Sequence, residues 1–194
     1  RFAQINCETL PPLTTPDDRP LFRVEVQPIT APQEAAIDLR FLVATGSILD
    51  GDDDRRHELL TALQEELASA GIVPRLVETL ELGTLPPELR FHAGDPSSLA
   101  QALSEVPPKA ETTVDVVFGG CLLYDDPIFG PPDPVNGFTP RIPGGAGPAD
   151  AVFLPGRDCF TEQPVDPPVR TQARVLAHEL GHYLGLYHSI ESDG

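Results

Sequence analysis

The chain has 194 residues, and its 13 Lys+Arg against 30 Asp+Glu leave a formal net charge of −17. That excess of carboxylates argues against a nucleic-acid or anionic-membrane partner, since both require a positive surface. No apolar run approaches the roughly 18 residues of a membrane span, and a hydrophobic fraction of 40% is adequate for a packed core rather than wholesale disorder.

Residues 1–36 read as a Pro-rich N-terminal extension. They carry Pro11, Pro12, Pro16, Pro20, Pro28 and Pro32 and little periodicity, which suits an extended strap. Within it the alternation of Phe22, Val24 and Val26 allows a short edge strand.

Folding is expected to begin at Ile37. Residues 37–45 (IDLRFLVAT) read as a buried strand. Asp50, Asp52, Asp53 and Asp54 then mark a helix start, with Leu59, Leu60, Leu63 and Leu67 at helical spacing and Gly71 as the stop. Alternate Asp residues also occur in calcium loops. The Gly and Glu such a loop requires do not follow, so this run is read as a solvated helix start. Residues 72–82 form a second strand, and the β-α-β unit implies parallel pairing through a right-handed crossover.

A short helix is predicted over residues 97–106, closed by Pro107 and Pro108, and a β-branched strand over 112–118. Residues 125–168 hold eleven prolines and a glycine cluster at Gly144, Gly145 and Gly147, with short strands expected near 137–142 and 149–154. The final helix spans 169–184, with Asp166 as its expected cap and Pro167 and Pro168 in the turn before it.

That helix contains the chemistry. His178, Glu179, His182, Gly185 and His188 form the pattern H-E-x-x-H-x-x-G-x-x-H, and three of the five histidines of the chain fall within it. At about 100° per residue, His182 lies roughly 40° around the axis from His178 and one turn along it. Two imidazoles so placed can hold one ion at about 2.0–2.1 Å from each nitrogen. Glu179 flanks that ion and is free to take a proton from water. The opposite side of the helix, with Val169, Ala173, Leu176, Leu180, Tyr183 and Leu184, is expected to be core. On a continuing helix His188 would sit about 9 Å along the axis from His182, out of reach of the same ion. Gly185 supplies the break, because glycine adopts the left-handed conformation that ends a helix and folds the chain back.

The segment HELGHYLGLYHS resembles the metzincin clan of zinc endopeptidases, and within it the pappalysin-like group. The resemblance covers residues 178–188 at motif level and, in the order of elements, residues 37–188 more weakly. It implies an α/β fold: a twisted, mixed, mostly parallel sheet with an antiparallel edge strand, a backing helix and an active-site helix. It also implies Zn2+ as cofactor, His178, His182 and His188 as its ligands, and Glu179 as general base. The activity would be hydrolysis of a protein or peptide substrate by metal-activated water, with the substrate lying extended along residues 137–145. The alternative is a zinc-binding module without turnover, either a fragment or a degenerate peptidase.

The sequence has no Met, and the metzincin Met-turn would follow His188, after which only six residues remain. The chain is therefore expected to be an excised piece in which residues 37–194 form the N-terminal subdomain of a catalytic domain. No signal peptide is visible in residues 1–10. An acidic, Lys-poor, Pro-rich composition fits a secreted or extracytoplasmic protein. Of Cys7, Cys121 and Cys159, a bridge between the last two is the first choice. Some members of the clan are kept latent by a propeptide cysteine on the zinc, a role open to Cys7 beside the plainer readings of a free thiol or a disulfide elsewhere. His57 and His92 have no ligand-like spacing. Oligomeric state is not encoded in any of these features.

Overall fold

The computed structural model describes residues 3–5, 24–26, 35–91, 97–104, 106–110, 112–125, 131–145 and 149–186. The chain forms two compact units, Arg1–Gln33 and Glu34–Gly194. In the first, β1 (Ala3–Ile5) pairs antiparallel with β2 (Val24–Val26). Cys7 lies outside the described residues.

The second unit is built on a four-stranded sheet of order β4-β3-β6-β9, formed by β3 (Ala35–Ala44), β4 (Ile72–Leu82), β6 (Thr113–Phe118) and β9 (Val152–Leu154). All three pairings within it are parallel. Helix α1 (Asp53–Leu67), continued by a 3-10 turn (Ala68–Ala70), makes the crossover from β3 to β4. Asp52 Oδ1 accepts the backbone N–H of Arg55 at 2.9 Å, which makes the aspartate run a helix cap, as its composition suggests. The expected antiparallel edge strand over 137–142 is reduced to one bridge, Phe138 to Phe153 of β9. Pro140 and Pro143 cannot donate to a ladder, so pairing stops there.

A second sheet, of order β5-β7-β8, is unannounced by the sequence pattern. It comprises β5 (Glu88–Phe91), β7 (Cys121–Tyr124) and β8 (Asp133–Pro134), with β5 and β7 parallel. Helix α2 is shorter than expected, Ser97–Ala102.

Strand alternation divides the core into two layers. Leu39, Phe41 and Val43 of β3 pack with Leu59 and Leu63 of α1 and with Ala173, Leu176 and Leu180 of α3 (Val169–Tyr183). Leu42, Val117 and Phe153 face the other way, onto Leu89, Phe91, Leu99 and Leu122. The fold is thus a mostly parallel α/β sheet with α1 and α3 on one face. Cys121 and Cys159 form a disulfide that ties β7 to the loop after β9.

Candidate functional site

Helix α3 is held by its apolar stripe: Ala173, Leu176 and Leu180 have no exposed surface. Burying a leucine contributes on the order of 2 kcal/mol. This fixes which residues turn away from the core. Two details differ from expectation. Pro168, not Asp166, precedes the first helical residue, and Asp166 instead pairs with Arg55 at 2.9 Å. Leu184 does not join the core but is 44% exposed.

His178 and His182 come together as their spacing predicts. Their Nε2 atoms are 3.1 Å apart and their ring centroids 4.6 Å apart. Two ligands at 2.0–2.1 Å from one tetrahedral ion would be separated by about 3.4 Å, so this pair is close to the span a zinc ion demands. The Nδ1 of His182 lies 2.7 Å from the carbonyl oxygen of Leu186. A carbonyl only accepts, so Nδ1 carries a hydrogen, which in a neutral ring leaves on Nε2 the lone pair a metal ligand needs. The chain just past the helix therefore orients the His182 ring within it.

That carbonyl is delivered by the turn the sequence places at Gly185. Its φ is 98°, and Gly185 N–H donates to His182 O at 2.9 Å while Leu186 N–H donates to Gly181 O at 2.9 Å. An L-residue with a side chain is disfavoured at that φ. His188 lies outside the described residues, and among these no set of three His, Cys, Asp or Glu side chains converges as a metal site. The pair of histidines fits zinc as two of its ligands.

Glu179 is only 7% exposed. Its carboxylate is held from residues that carry no sequence signal of their own. The hydroxyl of Thr139, itself buried, lies 2.9 Å from Glu179 Oε2 and 2.9 Å from the Glu179 backbone oxygen. Gly137 makes room beside it: an added Cβ would fall 2.8 Å from Glu179 Cγ and 3.0 Å from Oε1. One and two turns earlier on the helix, Val175 and Gln172 line a cavity of about 470 Å³ shared with Asn136, Leu154, Pro164 and Thr171.

The far end of residues 137–145 meets the end of the helix. Gly144 N–H donates to Tyr183 O at 2.8 Å, and a side chain at Gly144 would overlap the Tyr183 ring. Asp150 accepts from Gly145 N–H at 2.6 Å and from Lys109 Nζ at 2.9 Å, and its charge is felt by the Tyr183 phenol. Burial pushes the Asp150 carboxyl up, but the bonds from Lys109 and Gly145 outweigh it and hold it below the ordinary aspartate range. Burial, then the Asp150 carboxylate, drives the Tyr183 phenol upward, so the ring stays neutral.

His57 is an exposed residue of α1, and His92 lies outside the described residues. Among the described residues no helix is long and apolar enough to cross a membrane.

No family model matches the chain. No curated protein matches it either. Among solved structures it is similar to metalloproteinase-II from Bacteroides fragilis, with a TM-score of 0.45 and 15% sequence identity over 86% of this chain. The chain spans 47% of the length of that protein.

Proposed function

We propose that this chain carries the zinc site of a metalloendopeptidase, with His178, His182 and His188 as ligands and Glu179 as general base. The observation that supports it most is the pair of histidine Nε2 atoms 3.1 Å apart beside a buried carboxylate. The reading takes the pappalysin-like form of the motif at face value, with the turn at Gly185 returning the chain towards the ion. A bound zinc ion supplies a Lewis acid for the scissile carbonyl and lowers the pKa of its water.

The chain does the rest. Glu179 takes a proton from the attacking water and passes it to the leaving amine. Thr139 fixes the orientation of that carboxylate through its 2.9 Å contact. The backbone of residues 137–145 runs past the same point and offers groups to an extended peptide. The cavity beside Val175 and Gln172 takes one of the peptide's side chains. The substrate on this reading is a protein or peptide, and the charge of −17 argues against a nucleic acid. The Cys121–Cys159 disulfide suits a secreted or extracytoplasmic setting.

One observation favours a second reading, a zinc-binding module without turnover. The Glu179 carboxylate is already engaged by Thr139 and is almost closed to solvent. Metal analysis and casein cleavage of the full chain, with and without a chelator and with Glu179→Ala, separate the two. The peptidase reading expects bound zinc, cleavage lost on chelation, and cleavage lost in Glu179→Ala with zinc retained. Zinc without cleavage favours the module, and no zinc at all overturns both.

A further inference from the structure

The rim over residues 137–145 is attached to the zinc-binding helix at two places, and the second is unconnected with the ligands or the base. At that place four groups meet: the Gly144 and Gly145 backbone, Tyr183 at the end of α3, Asp150 before β9, and Lys109. Lys109 also donates to the backbone oxygen of Asp150 at 2.9 Å and stands 5.8 Å over the Tyr183 ring. Its other neighbour is Asp115, at 3.9 Å. Asp115 is locked in turn by the buried guanidinium of Arg40, with bonds of 2.7 and 3.0 Å. The chain of charges runs from the centre of the sheet, on β3 and β6, to the rim.

Glycine is required at both rim positions. Gly144 lies flat on the Tyr183 ring, and Gly145 has a φ of 95° that aims its N–H at Asp150. A charge-assisted bond of 2.6 Å at that point is among the stronger contacts available to a loop.

We propose that Asp150 is a positioning residue for the substrate edge: its carboxylate ties Gly145 to Lys109 beside the bond from Gly144 N–H to the Tyr183 carbonyl, and so fixes the rim at a set distance from the histidine-bearing helix. A peptide lying along residues 137–145 meets an edge already in place rather than one it must order, which favours binding and leaves the bond-breaking step to Glu179. This deepens the peptidase reading and rests on it for its kinetic consequence; the clamp itself does not.

The test uses the full chain with Lys109→Met, which removes the ammonium that pairs with Asp150, and with Asp150→Asn. Amide hydrogen exchange reads the clamp directly. Exchange at Gly144 and Gly145 is expected to quicken about tenfold in each variant, while amides of β6 keep their rates. On a peptide substrate, KM is expected to rise several-fold, roughly three to ten, with kcat within about twofold. Zinc content is expected to stay as in the wild type. Unchanged exchange at Gly144 and Gly145 in both variants overturns the clamp. Faster exchange with unchanged KM and a lowered kcat overturns the substrate role, since it marks a loss of folded protein. A wild-type chain without zinc-dependent cleavage would sink the peptidase reading, and the exchange measurement would still decide the clamp.

Discussion

The hydroxyl of Thr139 sits 2.9 Å from the carboxylate of Glu179, forty residues away in the chain. A hydroxyl has one hydrogen to give, and here the carboxylate and the Glu179 carbonyl both lie within reach of it. On the peptidase reading, removing it frees a base that must point at a water. Thr139→Val keeps the shape and deletes the donor, so kcat is expected to fall by about tenfold, the worth of roughly 1–1.5 kcal/mol. Thr139→Ser is expected to retain most of the activity. Steady-state kinetics of both variants, with zinc content as control, check the assignment.

Gly137 makes a sharper case because its effect is steric. A Cβ there would meet Glu179 Cγ at 2.8 Å and Val175 Cγ1 at 2.9 Å. The backbone is not left-handed at this position, so strain is not the mechanism; overlap is. Gly137→Ala is expected to push the carboxylate off Thr139, at a stability cost of about 1–3 kcal/mol. On the peptidase reading, cleavage should drop at least as far as in Thr139→Val, with zinc content unchanged. Denaturant melts and metal analysis give the two readouts.

Legibility in the sequence followed the range of the forces involved. Helix α3 is Val169–Tyr183, within one residue of its reading from periodicity, because Ala173, Leu176 and Leu180 repeat along one buried face. The facing of His178 and His182 followed from the same geometry. Strand β4 (Ile72–Leu82) and the glycine stop at Gly71 were equally plain. What the pattern did not carry was long-range. The residues 137–142 look like a strand, yet only Phe138 pairs, because the prolines on either side of Arg141 interrupt the ladder. Strands β5 and β7 have four residues each, too short for a period to show. The partners of the site, Thr139, Gly137 and Asp150, are ordinary loop residues until folding sets them against α3. A Thr between a Phe and a Pro has no local mark that it will hold a carboxylate.

The disulfide closes 38 residues of sequence between β7 and the loop after β9. A loop of that size restricts the unfolded chain enough to be worth about 2–4 kcal/mol. The paired Cys159→Ala, Cys121→Ala variant is expected to lose stability by that margin, with a steeper dependence on urea because its unfolded chain is no longer cross-linked. The loop also lines part of the cavity through Asp158 and Thr161. Peptide cleavage by the variant should therefore show a raised KM at temperatures where it is still folded.

Acidification tests the rim from another side. Asp150 is held below the ordinary aspartate range in the folded chain, with Lys109 and Gly145 outweighing burial. In the unfolded chain it titrates near about 3.9. A folded value below the unfolded one means the contribution to stability is complete above the unfolded value and is lost as pH falls through the folded one. Between neutral pH and about 5 the clamp should therefore be insensitive to pH. Below about 4 the unfolded chain takes up the proton first, and the wild type should lose stability faster than Asp150→Asn, whose amide does not titrate. Thermal melts of the two proteins across that range are expected to converge towards acid. Melting curves that stay parallel would remove Asp150 from the account of acid stability and leave the loss to other carboxylates, such as Asp158, whose charge is favoured by the backbone N–H groups of Thr161 and Phe160.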